Sequence, residues 1–155
     1  MPLEIEKKYL VNKAKWNQTD KPKGQFFRQG YLLTDPNKTI RVRVTDTKSF
    51  LTIKGLSVGA TRPEFEYEIP KDEAEQLLDM FAISDLTKIR YKVLVNDKLW
   101  EVDEFLGDNL GLIVAEIELL SENETFGLPN WVENEVTGED KYYNSNLSVL
   151  PYKNW

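Results

Sequence analysis

Glu4, Glu6 and Lys8 occupy every second position near the start of the chain, with Ile5 between the two acids. Read as a strand, this spacing puts two carboxylates and an ammonium on one face, because strand side chains alternate. Such a row suits a hard divalent cation held next to an anion. The same period of two recurs downstream. Arg41 and Arg43 share a face, as do Arg62, Glu64, Glu66 and Glu68. Lys54, then Lys88, Arg90 and Lys92, then Glu101 and Asp103, then Glu116 and Glu118 fall on comparable faces of other stretches.

The solvated outer face of a half-buried sheet gives the same alternation. Two features weigh against that reading. Like charges repeat along single strands, and their repulsion needs a neighbouring strand, a metal or a ligand to offset it. Glu116 and Glu118 also interrupt an otherwise apolar run, residues 112–120, which should be well buried. Turned into an enclosed space, these rows would put carboxylates in one place and Lys and Arg around the rest. A polyphosphate–metal complex requires that arrangement. Arg41 and Arg43 would grip phosphates in bidentate fashion, with Lys8, Lys54 and Lys88 as point charges.

What the chain lacks narrows the chemistry. Without His or Cys there is no disulfide framework, thiolate nucleophile, Ser-His-Asp triad or His/Cys zinc site. Any metal must be held by oxygen, which favours Mg²⁺, Mn²⁺ or Ca²⁺. A general base must be a carboxylate, a shifted Lys or Tyr, or a metal-bound water. Neither glycine fingerprint for phosphate cradling is present, so side chains would have to do that work.

Apolar content of 41% and charged content of 30% in 155 residues fit one globular domain over residues 1–155. A net charge of −6 argues against a nucleic-acid partner but allows a local basic pocket. No stretch resembles a signal peptide or is long enough to span a bilayer, so no membrane partner and a cytoplasmic location are the default expectations.

The elements that must position these residues are mostly strands. Residues 1–11, 26–33, 39–45, 49–55, 62–69, 86–95, 99–105 and 112–120 read as eight of them, with turns at 35–37, 46–48 and 96–97. Residues 70–81 read as a helix. Pro70 opens it, acids fill its first turn, and Ala74, Leu77, Leu78 and Phe81 form an apolar stripe. A helical turn is expected around residues 14–16 and a short helix over 140–149, whereas 129–131 and 135–138 look irregular. Trp100, Trp131, Tyr142 and Tyr143 read as packing residues. Short turns imply antiparallel pairing, and closure into a barrel would remove exposed edges. The pattern fits an open or two-layer α+β sheet nearly as well.

Taken in order, these motifs resemble the CYTH superfamily, the triphosphate tunnel metalloenzymes. They are the Glu4-x-Glu6-x-Lys8 opening, residues 29–32, 41–43, 51–55 and 62–68, then 88–91, 100–105, 115–118 and 135–138. The resemblance implies an eight-stranded antiparallel β-barrel whose charged faces line a tunnel, with a few peripheral helices. It implies hydrolysis of a triphosphate, inorganic tripolyphosphate first, with Mg²⁺ or Mn²⁺, by a monomer or homodimer. Carried across, Glu4, Glu6, Asp103, Glu116 and Glu118 match metal-binding acids. Lys8, Arg41, Arg43, Lys54, Lys88 and Arg90 match the triphosphate grip, and Arg62, Glu64 and Glu66 match tunnel-wall positions. Lys8 and Tyr31 are similar to a pair associated with catalysis in small bacterial members; an amphipathic wall role is the alternative for Tyr31. Residues 131–134 depart from the glycine-containing turn of many relatives. Cyclisation of ATP as in class IV adenylate cyclases, thiamine or nucleoside triphosphate hydrolysis, and non-catalytic polyphosphate binding are the rival functions.

Overall fold

A computed structural model describes residues 2–155; Met1, which begins the first expected strand, lies outside them. The strands are β1 (Leu3–Val11), β2 (Gln25–Asp35), β3 (Lys38–Val44), β4 (Ser49–Gly55), β5 (Thr61–Ile69), β6 (Ser84–Val95), β7 (Lys98–Phe105), β8 (Ile113–Glu118) and β9 (Val132–Glu135). Helices α1 (Lys13–Asn17), α2 (Lys71–Phe81) and α3 (Asn144–Leu147) accompany them. The sheet runs β5-β4-β3-β2-β6-β7-β8-β1, and β1 returns to β5 to close it. All pairings are antiparallel. The closed eight-stranded barrel is therefore the fold, and the open sheet is not.

β9 is an addition, paired to the second half of β1. Its four residues, Val-Glu-Asn-Glu, are too few and too polar to show a period, so nothing in the sequence marks them as a strand. At the β6–β7 hairpin, Asn96 and Asp97 have φ of 51° and 62°. Both central residues are thus left-handed, as a two-residue turn matched to strand twist requires.

The charged rows point into the barrel, and most of the apolar residues that alternate with them point out. Outside β1, β7 and β8, a cluster of Tyr9, Trp16, Trp100, Trp131, Val102, Ala115 and Ile117 packs beneath α1 and the segment leading to β9. Trp16, Trp100 and Trp131 meet edge to face, with centroids 5.1 and 5.8 Å apart, a favoured geometry for aromatic quadrupoles. A second cluster is on the inner face: Leu86, Phe105 and Val114 share rows with Lys88, Asp103 and Glu116 and close one end of the barrel against Tyr142 and Leu147. A third sets Ala74 and Leu78 of α2 on Val42 and Val44. Gly30 on β2 makes that contact possible: a Cβ there would stand 2.5 Å from Leu78 Cδ2 and 3.2 Å from Ala82 Cβ.

Two helix expectations need correcting. Phe81 is 56% exposed, because the chain turns extended at Ala82 and Ala82 takes the place on the cluster. The helix expected within 140–149 is broken into a 3₁₀ turn (Asp140–Tyr142) and α3, with Tyr143 extended between them at φ −66°, ψ 136°. That break turns Tyr143 and Asn144 toward the barrel interior.

Candidate active site

A cavity of about 660 Å³ occupies the barrel, and every candidate site residue lines it except Asp103. β1 supplies Glu4, Glu6 and Lys8; β2, Phe27 and Tyr31; β3, Arg41 and Arg43; β4, Phe50, Thr52 and Lys54. β5 adds Arg62, Glu64 and Glu66; β6, Lys88, Arg90 and Lys92; β7, Glu101; β8, Glu116 and Glu118. Glu68, the last acid of the β5 row, is exposed and lies 3.7 Å from Lys48. Strand alternation alone brings these groups together once the apolar row is committed to the outer clusters. Tyr31 has extra help: pairing with β3 slips by one residue between Tyr31 and Leu33, a bulge of the kind that re-aims side chains.

Phe27 resolves part of the like-charge problem. The Cζ atoms of Arg43 and Arg90 lie 5.0 and 5.1 Å from its ring centroid, and Lys88 Nζ lies at 5.9 Å. One aromatic ring thus stands beside three cations. Phe50 stands 5.6 Å from Arg43 Cζ. Glu66 accepts from Arg43 Nη2 at 3.1 Å and from Thr52 Oγ1 at 2.9 Å, with Arg41 Nη2 at 3.6 Å. Burial, then Arg41 and Arg90, pushes Arg43 below the usual guanidinium range. The buried Nε atoms of Arg41 and Arg43 have no partner among the described residues. Buried unpaired donors facing a cavity await an acceptor.

Asp103 is on the inner face but buried beneath Arg90 and Lys88, out of contact with the cavity. Arg90 grips it with Nε on Oδ1 at 2.8 Å and Nη2 on Oδ2 at 2.9 Å, and Lys88 Nζ reaches Oδ2 at 2.8 Å. Burial alone would raise this carboxyl, but Arg90 and Lys88 hold it well below the carboxylate range. Both oxygens are engaged by protein cations. Glu101, two residues earlier on the same face, lines the cavity and accepts from Arg90 Nη1 at 3.3 Å.

The remaining acids differ in how they are held. Glu4 accepts from Lys54 Nζ through both oxygens, at 2.9 and 3.1 Å. Lys8 lies opposite Glu116 in the ladder, with Nζ 3.7 Å from Oε1. Burial would raise Glu116, yet Lys8 and Arg90 lower it to about 2. Glu6 lies directly opposite Glu118, and neither has a cation within 4.0 Å among the described residues. Burial, then Glu116 and Glu4, pushes Glu6 up to about 8. Glu64 is pushed up to about 7 by burial and by Glu4. Glu118 is solvent-exposed while lining the same wall.

These acids form a row along adjoining strands. Among the described residues, no three of them converge around one point in the manner of a preformed metal cluster. The donor chemistry still fits a hard divalent cation: every donor is a carboxylate oxygen, and two half-buried carboxyls, Glu6 and Glu64, remain difficult to ionise without added positive charge.

One end of the cavity is built from the C-terminal segment, through Tyr143, Asn144 and Ser145. Lys8 Nζ donates to the Tyr142 carbonyl at 3.3 Å and stands 5.1 Å from the Tyr143 ring. Arg62 Cζ is 5.7 Å from the same ring, and its Nε and Nη2 donate to the Gly55 carbonyl. Tyr142 is core, as expected, whereas Tyr143 is part of the site. Phe27, Tyr143 and Asn144 are the functional positions that sequence reasoning missed. Phe27 follows Phe26, and adjacent identical residues give no face signal. The segment around Tyr143 has no period.

A family model for the CYTH domain matches residues 2–150. The chain belongs to the CYTH domain family. This CYTH chain is 47% identical over 156 residues to an inorganic triphosphatase of Acetivibrio thermocellus, covering 100% of this chain and 99% of that one. It is 33% identical to an inorganic triphosphatase of Nitrosomonas europaea, over 94% and 97% of the two chains. A solved structure of an inorganic triphosphatase superposes on the CYTH barrel with a TM-score of 0.66 and 31% identity, over 96% of each chain. No helix among the described residues is long and apolar enough to cross a membrane.

Proposed function

We propose that this CYTH protein hydrolyses inorganic tripolyphosphate to phosphate and diphosphate with Mg²⁺ or Mn²⁺. The observation that carries the reading is one cavity within the barrel in which Arg41, Arg43, Lys54, Lys88 and Arg90 share the wall with Glu4, Glu6, Glu116 and Glu118. The names of the two bacterial relatives support it. No feature of the cavity requires a base or sugar on the substrate.

In this reading Lys8, Arg41, Arg43, Lys54, Arg62, Lys88 and Arg90 bind phosphate oxygens. Glu4, Glu6, Glu116 and Glu118 hold the cation, and Glu64 and Glu66 support the wall. Asp103, expected among the metal-binding acids, has both oxygens engaged by Arg90 and Lys88, and in this reading it fixes those two cations. A divalent ion, when bound, neutralises phosphate oxygens that would otherwise repel these acids and the attacking water.

The chain's own residues supply positioning. The cations are held by Phe27, Glu66, Asp103 and the Gly55 carbonyl before substrate arrives, so little reorganisation is needed as charge shifts in the transition state. A triphosphate fixed at several oxygens presents a terminal phosphorus to water in line. The new bond from the water oxygen forms as the bridging P–O bond breaks, and diphosphate leaves. Lys8 and Tyr31 face this space and stabilise the oxygens that gain charge.

The test is phosphate release from tripolyphosphate by purified protein with each metal. Release that requires the metal, and its loss in Glu4→Gln with a native circular dichroism spectrum, is the expected result. A folded protein that releases no phosphate contradicts the reading. Cyclic AMP formed from ATP would instead assign a cyclase.

A further inference from the structure

Lys88 is fully buried, and its ammonium touches two side-chain oxygens, Asp103 Oδ2 at 2.8 Å and Asn144 Oδ1 at 2.8 Å. An ammonium can only donate, so Asn144 must turn its oxygen to Lys88. The same oxygen receives Gln29 Nε2 at 3.0 Å. Gln29 is itself fully buried, and its NH₂ group also lies 3.2 Å from the Tyr31 hydroxyl.

The direction of each bond is forced by the one before it. Rotating the Gln29 amide would set two acceptors, its Oε1 and Asn144 Oδ1, against each other. With the NH₂ held toward Asn144, the Tyr31 oxygen accepts from Gln29. The hydroxyl hydrogen is left for another partner. Tyr31 makes no other side-chain hydrogen bond among the described residues, and it lines the cavity. Gln29 Oε1 is left buried without a partner, so this residue forgoes a hydrogen bond of its own to keep that direction.

We infer that Gln29 and Asn144 form a relay of hydrogen-bond direction, running from Lys88 to Tyr31, that holds the Tyr31 hydroxyl as a donor to a phosphate oxygen of the substrate. Both are positioning residues, and the inference rests on the triphosphatase reading. It gives the C-terminal segment a part in the site: Asn144 both steadies a phosphate-binding lysine and sets the direction of a hydroxyl on β2.

Kinetics and side-chain amide NMR test the relay together, with melting curves to show that each variant is folded. Gln29→Leu and Asn144→Leu each lower tripolyphosphate turnover by about tenfold or more, as misplacement of a reacting group does. Asn144→Asp restores most of it, because a carboxylate keeps an oxygen for both donors. In a Tyr31→Phe background, Gln29→Leu causes no further loss. A further loss as large as in the wild type, or unchanged turnover in both leucine variants, overturns the relay. In ¹⁵N-labelled protein the Gln29 NH₂ protons exchange slowly with solvent and shift on Tyr31→Phe and on Asn144→Leu. Fast exchange, or resonances that do not move, overturns the relay without reference to turnover. Failure of the wild type to hydrolyse tripolyphosphate overturns the triphosphatase reading instead, and the amide resonances still decide the relay.

Discussion

Glu6 shows how a single residue records what the cavity is built to hold. It is half-buried opposite Glu118, and desolvation with Glu116 and Glu4 raises it to about 8 from an ordinary 4.5. Glu64 moves the same way, to about 7. A carboxyl raised in the folded state takes up a proton on folding, so its favourable contribution is full below the unfolded pKa and fades as pH rises toward the folded one. Burial lowers Lys88 to about 7, and its opposite contribution belongs to the range above that. With no histidine in the chain, the acids dominate between about pH 5 and about pH 7. Thermal melting in chelator should therefore show Tm falling across that interval, with a shallower fall in Glu6→Gln. Adding Mg²⁺ at the upper end should raise Tm in the wild type and less in the variant. A Tm that stays flat or rises in chelator would contradict the assignment.

Phe27 is the residue-scale counterpart on the cationic side. Phe27→Leu keeps an apolar side chain but removes the ring shared by Arg43, Arg90 and Lys88. Cation–π contacts of this sort contribute about 0.5–2 kcal/mol each. Titration calorimetry should show weaker tripolyphosphate binding, with the fold retained. Unchanged affinity would reduce Phe27 to a packing residue.

Among the elements, β2 carries two demands at once: Gln29 and Tyr31 serve the interior, and Gly30 between them lets α2 approach the outer face. Gly30→Ala would drive a methyl into Leu78 and Ala82, at a cost of roughly 1–3 kcal/mol for overpacking. Denaturant melts should show that loss, and a midpoint equal to wild type would mean α2 moves away freely. The strands themselves were legible because like charges two apart, as in Arg41 and Arg43 or Glu116 and Glu118, mark one face of each. Alternation could not tell Glu101 from Asp103, which share a face. Only the position of Arg90 and Lys88, which cover Asp103, leaves one at the cavity and the other buried beneath them. Asn144 and Tyr143 left no signal, because their place depends on a chain break at Tyr143 and on tertiary contact with Lys8, Lys88 and Gln29.

At the scale of the molecule, the barrel is inverted relative to an ordinary globular core. Two of its apolar clusters lie outside the strands, under α1 and α2, the third plugs one end of the bore beneath the C-terminal segment, and the rest of the interior is kept mainly for charge. A closed barrel tolerates this because backbone pairing is complete around its circumference and the outer clusters supply the hydrophobic burial. The net charge of −6 is thus no guide to the sign of the site, since a cationic grip is enclosed in an acidic exterior. The most direct measurement is a crystal structure of the protein with tripolyphosphate and Mn²⁺. The phosphate chain is expected inside the barrel against Arg41 and Arg43, with an anomalous manganese peak at the Glu4 and Glu6 carboxylates. Phosphate and manganese found only on the outer surface, with the barrel interior empty, would contradict it.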